Sequence, residues 1–380
     1  MRSCDREPVI SVGLLTAPKI ESRTLPDGTF EIENVKIGIG FHWERRERQR
    51  FAGKLRVIRD GLMEVAVNDI PLEEYLKSVI SSEMNADASE ALLKAHAVVS
   101  RSWLLANIRK EGGIPAYASP QYSAGKPGEE EERVRWYDRE DHRLFDVCAD
   151  DHCQRYQGLA RQTNPTAARA VGETRGEVLT FDGAICDTRF SKCCGGRSEL
   201  FENCWEPVAH PYLTSVADNA GPGERDFCDT DNAEILRQVL NSYDRETPDF
   251  YRWEVSYSPG ELSALLRRKT GVDFGDIKAL EPLERGLSGR IIRLRVSGSR
   301  RTMVIGKELE IRRALSESHL YSSAFDASAE NGLWVLRGRG WGHGVGMCQI
   351  GAAVMGAKGY DYRRILAHYF PNASLTKIYE

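Results

Sequence analysis

The 380-residue sequence predicts an α+β fold: mixed, largely antiparallel strands, a helical segment that carries a candidate acid, and an inserted loop or flap. Three observations predict it. Residues 8–70 alternate apolar and polar positions in runs such as "ISVGLL", "VKIGIGF", "KLRVI" and "LMEVAVN", split by "PDG", "AG" and "DG" turns, which is the period of half-buried antiparallel strands. The spacing then turns helical at "DIPLEEYLKSVISSEM" and stays so through "DASEALLKAHAVVSRSWLLANIR". Strands and helices also come in separate runs, which favours α+β over a doubly wound sheet.

Taken in order, Asp69 is positioned to cap the first helix, with Pro71 in its first turn and Leu72, Tyr75, Leu76 and Val79 on one face. That helix is expected over 71–81. A second helix follows, with Ala91, Ala95, Val98, Trp103 and Leu104 as core positions. Residues 113–141 turn polar and carry "GKPGEEEERVR", an exposed loop or flap whose acid run is a solvated surface. Strand-like pieces resume at "GEVLTFDG", "AICDTRFS", "RWEVSYS", "IIRLRVSG" and "TMVIG", interrupted by one helix, "SPGELSALLRRKT", capped by Ser258. Short helices are expected at 308–315, 347–357 and 361–369. The expected division is a β-rich segment (1–70), a core with flap and Cys/His cluster (71–214), an α+β insertion or second lobe (215–330) and a glycine-rich return to the core (331–380).

Composition removes several function classes. Charged residues make up 28% of the chain and the net charge is -4, so no polybasic surface marks nucleic acid or anionic lipid as a partner. No apolar run approaches the ~18 residues a membrane span needs, and "MRSCDREPVI" lacks the features of a secretion signal. Nine cysteines are many for a cytosolic protein, and seven of them (Cys148, Cys153, Cys186, Cys193, Cys194, Cys204 and Cys228) fall between 148 and 228, which suggests a local staple.

Four groups could carry chemistry. Glu83 sits where the first helix ends, flanked by Ile80 and Met84, where partial desolvation penalises the charged form and suits a general acid at neutral pH. An exposed helix-end glutamate is the plainer reading, as a solvated or salt-bridged face is for Arg101 on the second helix. His142, Cys148, His152 and Cys153 form a Cys2His2 set suited to tetrahedral zinc, and a disulfide such as Cys148–Cys153 fits the spacing as well. In "TRFSKCCGGRSELFENCWEP", Gly195 and Gly196 permit a tight turn, Ser191, Arg197 and Glu199 offer polar contacts, and Cys194 could pair with Cys204. Finally, "RGRGWGHGVGMCQIGA" (337–352) matches neither a nucleotide P-loop nor a dinucleotide fingerprint. Trp341, His343 and Gln349 interleave with its glycines, giving an aromatic face with donors and acceptors fit for the floor of a sugar groove.

"PLEEYLKSVISSEM", "AHAVVSRSW", "CCGGRSE" and "GRGWGHGVGMCQIGAAVMGAKGYDYRRILAHYFP" together resemble the stage II sporulation protein D and amidase-enhancer family, SpoIID/LytB. The resemblance implies a peptidoglycan lytic transglycosylase that cleaves the MurNAc–GlcNAc bond of peptide-stripped glycan strands and leaves 1,6-anhydroMurNAc ends. The alternative is a non-catalytic glycan-binding scaffold that stimulates a cell-wall amidase. By position Glu83 falls on the family's acid. Arg101, Tyr156, Ser191, Arg197, His343 and Gln349 become candidates for holding sugars. His142, Cys148, His152 and Cys153 resemble a structural zinc set of some members, and no organic cofactor is implied. The resemblance also implies peptidoglycan strands and a cell-wall amidase as partners, and an extracytoplasmic location with the leader outside this sequence. A cytoplasmic metal-binding protein is the third reading. "CCGG" and "GMCQ" depart from the family pattern, with cysteine where many relatives carry serine or another residue.

Overall fold

The computed structural model describes residues 6–38, 44–85, 87–108, 131–136, 142–150, 153–162, 164–240 and 249–380. It mixes helices with antiparallel-rich sheets, an α+β fold. The chain opens with strands β1 (Val9–Ala17), β2 (Ser22–Thr24), β3 (Phe30–Ile37), β4 (Arg45–Phe51), β5 (Lys54–Asp60) and β6 (Met63–Pro71). β5, β6 and β1 are antiparallel neighbours in one sheet, and β2, β3 and β4 make a second.

β6 runs straight into helix α1 (Leu72–Glu83). Asp69 does not cap it: the residue still belongs to β6 and its carboxylate takes a two-point hydrogen bond from Arg56, 3.0 Å on each arm. Pro71 stands at the cap without a side-chain bond, and the first helical N–H groups are taken instead by Pro8 O and Glu7 Oε1. An acid at that end also suits the helix dipole. Helix α2 (Glu90–Ile108) is buried on nearly every side, from Leu92 to Asn107, because later helices and a sheet cover the faces that α1 does not.

Next come β7 (Glu132–Val134), β8 (Val147–Cys148), α3 (Pro165–Glu173), β9 (Glu177–Phe181), β10 (Ala184–Ile185) and β11 (Phe190–Ser191). β8 joins the first sheet in parallel beside β1, Val147 opposite Val12. Asn164 caps α3, accepting from Thr166 N at 2.8 Å, with Pro165 in its first turn. Two short helices, α4 (Phe201–Cys204) and α5 (Ala233–Val239), lead out of this region.

A second apolar core then forms from β12 (Arg252–Tyr257), α6 (Pro259–Thr270), β13 (Ile277–Arg285), β14 (Ile291–Gly298), β15 (Thr302–Gly306), α7 (Glu308–Ala314), β16 (Phe325–Glu330) and β17 (Leu333–Arg339). Leu262, Leu266, Leu294, Val296, Ile305 and Leu336 fill it. Ser258 caps α6 in a reciprocal capping box with Glu261, as its sequence predicts, and Gly271 ends the helix at φ 73°. Part of the expected flap is not a loop at all: β7 lies parallel to β15 and extends the β13–β14–β15 sheet. The rest of residues 113–141, up to 141, lies outside the described residues apart from 131–136.

The chain returns to the first core through β18 (Met347–Cys348), parallel to β11, then α8 (Gln349–Ala357), α9 (Tyr362–Tyr369) and β19 (Ser374–Lys377), which completes a sheet with β9 and β10. The three short helices expected toward the C-terminus thus form at 308–314, 349–357 and 362–369. No helix among the described residues is long and apolar enough to cross a membrane.

Candidate active site

Glu83 is the last residue of α1 and is 9% exposed. Its Oε1 accepts the backbone N–H of Arg155 at 3.0 Å. That N–H belongs to the segment 153–158, which lies along α1 through a ladder of contacts. Gln157 N donates to Ser82 Oγ at 3.2 Å, Ser78 Oγ donates to Gly158 O at 2.7 Å, and Tyr75 OH donates to Gln154 Oε1 at 3.4 Å. On the far side, Asn85 N donates to Gln238 O and anchors the turn after Glu83 to the end of α5. The carboxyl group is therefore held at a helix end between two fixed segments, largely out of water.

The same segment begins at Cys153, where three of the four predicted metal ligands meet. The donor atoms of His142, Cys148 and Cys153 all lie within 4.8 Å of one another. Cys153 Sγ is 3.4 Å from His142 Nε2 and accepts from Cys148 N at 3.5 Å. The predicted fourth ligand, His152, lies outside the described residues. Two thiols and an imidazole at this spacing suit a borderline-soft divalent ion such as zinc. Cys153 is two residues from the Arg155 amide that holds Glu83, so the cluster and the Glu83 contact lie on one short segment.

The sugar-holding candidates divide into enclosed and open groups. Arg101 has no exposure. Its Nε and Nη2 donate to the Glu73 carboxylate at 3.0 and 2.7 Å, and Nη1 donates to Glu177 O at 2.9 Å. Glu73 in turn accepts from Tyr379 OH at 2.6 Å, so this is a buried ion pair that pins α1, α2 and the C-terminus together. Tyr156 is buried against Tyr75 and Phe51, its hydroxyl accepts from Asn68 at 2.7 Å, and burial pushes the phenol up. Gln349 is buried, with Nε2 3.1 Å from His96 Nε2, and the other imidazole nitrogen of His96 is 3.1 Å from Ser100 Oγ. Burial first, and then the Lys192 charge, lower His96 to about 3, so the ring is neutral. Ser191 is also buried, and its hydroxyl has no hydrogen-bond partner among the described residues.

Arg197 is exposed and His343 half-buried. The His343 ring packs edge-on against Trp205, with centroids 4.9 Å apart, and Nδ1 accepts Val345 N–H at 3.0 Å. Burial, Arg189 and Arg290 hold it neutral, well below the usual imidazole range.

The glycine segment is bare because it is packed, rather than because it floors an open groove. Gly340, Gly342, Gly344 and Gly346 all have positive φ. A Cβ on Gly344 would come within 2.4 Å of the Arg290 guanidinium, and one on Gly346 within 2.1 Å of Arg189 O. Trp341 packs between Phe250 and Tyr321. Arg290, which the sequence reading did not single out, is 1% exposed and donates to Gly342 O at 2.9 Å and Cys194 O at 3.1 Å. It joins the "CCGG" turn to the glycine segment from the second core. Cys204 is no partner of Cys194: its thiol faces His343 O at 3.7 Å, whereas Cys194 Sγ lies 3.7 Å from Cys228 Sγ.

Two surface hollows, of about 540 and 390 Å³, lie beside Arg267 and Asp273 on the second core and beside Glu202 and Lys307; Glu83 lines neither.

A family described as "Stage II sporulation protein" (SpoIID) matches residues 62–181, the stretch from β6 to β9 that contains Glu83 and the His142 cluster. A domain of unknown function, DUF8618, matches residues 199–346, which include the second core. An uncharacterized protein of Brachyspira hyodysenteriae is 27% identical over 86% of this chain and 72% of its own length. Stage II sporulation protein D of Bacillus subtilis is 24% identical over 82% of the chain and 76% of its own. The amidase enhancer of the same organism is 24% identical over 79% of the chain and 40% of its own. With the motifs around Glu83 and the glycine segment in place in this fold, residues 62–181 carry a SpoIID-family domain, and the chain as a whole is similar to stage II sporulation protein D and the amidase enhancer.

Proposed function

We propose that this protein works on the bacterial cell wall outside the cytoplasm, as a lytic transglycosylase with Glu83 as its acid and base. The observation that carries the reading is the setting of Glu83: a carboxyl group nearly out of water at a helix end, with Oε1 engaged by the Arg155 amide. An amide on Oε1 places the transferable proton on Oε2. That oxygen protonates the glycosidic oxygen between MurNAc and GlcNAc as the C1–O bond breaks. The carboxylate so formed takes the proton of the muramic C6 hydroxyl as its oxygen bonds to C1. The proton returns to Glu83, no water is consumed, and one carboxylate serves where a hydrolase needs two. His142, Cys148 and Cys153, with His152, would hold a structural zinc, which supplies a cross-link rather than a reaction step. Of the sugar-holding candidates, Arg197 and His343 keep solvent access and stay in that role.

Digestion of peptide-stripped peptidoglycan in ¹⁸O-labelled water tests the reaction class. New ends one water lighter than hydrolytic ends and free of label are expected; labelled reducing ends would assign a hydrolase instead. The relative named "Amidase enhancer" favours a second reading, a glycan-binding scaffold that stimulates an amidase. It predicts retained glycan binding and faster release of stem peptides by an added amidase, with no anhydro ends.

A further inference from the structure

Away from Glu83, three distant stretches of chain bring thiols together in the interior. Cys193 and Cys194 come from the turn after β11, Asp218 and Cys228 from the loop before α5, and Cys348 from the junction of β18 and α8. One donor atom each from Cys194, Asp218, Cys228 and Cys348 lies within 4.8 Å of every other, and all four residues are buried. Four donors this close enclose space for a single ion. The Cys194 and Cys228 sulfurs are 3.7 Å apart. Zinc–thiolate bonds of about 2.3 Å in a tetrahedron set sulfurs about 3.8 Å apart, whereas a disulfide sets them at about 2.05 Å.

The surroundings are those of an outer ligand shell. Asp218 Oδ1 accepts Tyr369 OH at 2.6 Å, and Oδ2 accepts Cys228 N at 2.8 Å, so both carboxylate oxygens are oriented. Cys348 Sγ accepts the amides of Cys194 at 3.3 Å and Gly351 at 3.4 Å, and the Cys193 thiol hydrogen-bonds those of Cys228 and Cys348. Such bonds fix ligand orientation and spread the charge of thiolates. Among the described residues no Lys, Arg or His makes an ion pair with Asp218, although it is fully enclosed. A buried carboxylate beside three thiols lacks a counter-charge, and a divalent cation supplies it.

We propose that Cys194, Asp218, Cys228 and Cys348 bind one divalent cation of the zinc class in a closed structural site. The protein fills all four tetrahedral positions, which leaves no vertex for a reacting water. The ion ties the "CCGG" turn, the loop before α5 and the start of α8 into one unit. Arg290 grips the same turn from its other side through Cys194 O. This proposal rests on the cluster alone and is independent of the reaction assigned to Glu83.

The test uses the full chain carrying Cys148→Ser and Cys153→Ser, which empties the other candidate cluster, purified under reducing conditions with zinc and then dialysed. About one zinc per chain is expected by elemental analysis, falling at least tenfold when Cys228→Ser is added. Cobalt in place of zinc should give a thiolate-to-metal charge-transfer band that the added substitution removes. A second measurement needs no further variant: titrating thiols of the Cys148→Ser, Cys153→Ser chain with a mercurial should release the zinc as the thiols react. A metal-free chain under these conditions, or a Cys194–Cys228 disulfide found by mass spectrometry in that reduced, zinc-supplied protein, would overturn the proposal.

Discussion

Two buried polar residues show at the smallest scale how the interior constrains this protein. His96 is fully enclosed and lowered to about 3, below the ~6.5 of an unfolded histidine. Below about pH 6.5 the unfolded chain therefore binds a proton that the folded chain does not. The stability this histidine contributes is lost as pH falls from there toward about 3, at about 1.4 kcal/mol per pH unit. Denaturant unfolding across that window should show the slope, and His96→Gln should remove that increment. Arg101 makes a second case. Arg101→Met leaves Glu73 buried without its partner, and we expect a loss of about 3–5 kcal/mol of folding free energy with little change in KM for the folded fraction. A rise in KM with unchanged stability would put the guanidinium back in the substrate groove. The position of Glu83 at a helix end was legible in the sequence because helical spacing runs out there. The enclosed state of Arg101 was not, since the carboxylate it meets lies 28 residues away and periodicity carries no such pairing.

At the scale of elements, the segment 153–158 links the cluster of His142, Cys148 and Cys153 to Glu83. We expect Cys148→Ser to lower kcat more than it raises KM, because the Arg155 amide loses its fixed place opposite Glu83 while the separate cluster of Cys194, Asp218, Cys228 and Cys348 keeps its donors. Comparing kcat and KM of this variant with those of the wild type checks this, and an unchanged kcat would separate the cluster from Glu83. The cap at Ser258 is legible in the chain, whereas Asp69 looks like a cap and is a strand residue, and Asn164 and Asn232 cap two short helices, α3 and α5, that the apolar spacing does not announce. The β16–β17 hairpin went unread although Asn331 and Gly332, at φ 50° and 80°, spell a two-residue turn. Cap and turn chemistry act locally. Glycines 340–346 resemble a ligand-facing surface because sequence shows that a Cβ is excluded without showing by what; here it is the Cys193 and Cys194 carbonyls at Gly340, Arg290 at Gly344 and Arg189 O at Gly346.

The described residues form two apolar cores: apart from β7, which adds an early strand to the sheet of the second, the chain leaves the first core before Arg252 and returns to it after Arg339. Arg290 is the joint: rooted in the second core, its guanidinium holds carbonyls of both "CCGG" and the glycine segment. Arg290→Met should leave those carbonyls without a donor, lower the melting temperature and split unfolding into two steps, since the cores would no longer report on each other. A single transition at the original temperature would deny the joint. What the fold holds in place, on this account, is one carboxyl group. The most direct test of that claim incubates amidase-stripped peptidoglycan with the wild-type protein and with Glu83→Gln, measuring bound protein by co-sedimentation and products by mass spectrometry. The account predicts equal binding by both, anhydromuramic ends from the wild type, and a rate at least about 10²-fold lower from the variant. Anhydromuramic ends formed by Glu83→Gln at the wild-type rate would contradict it.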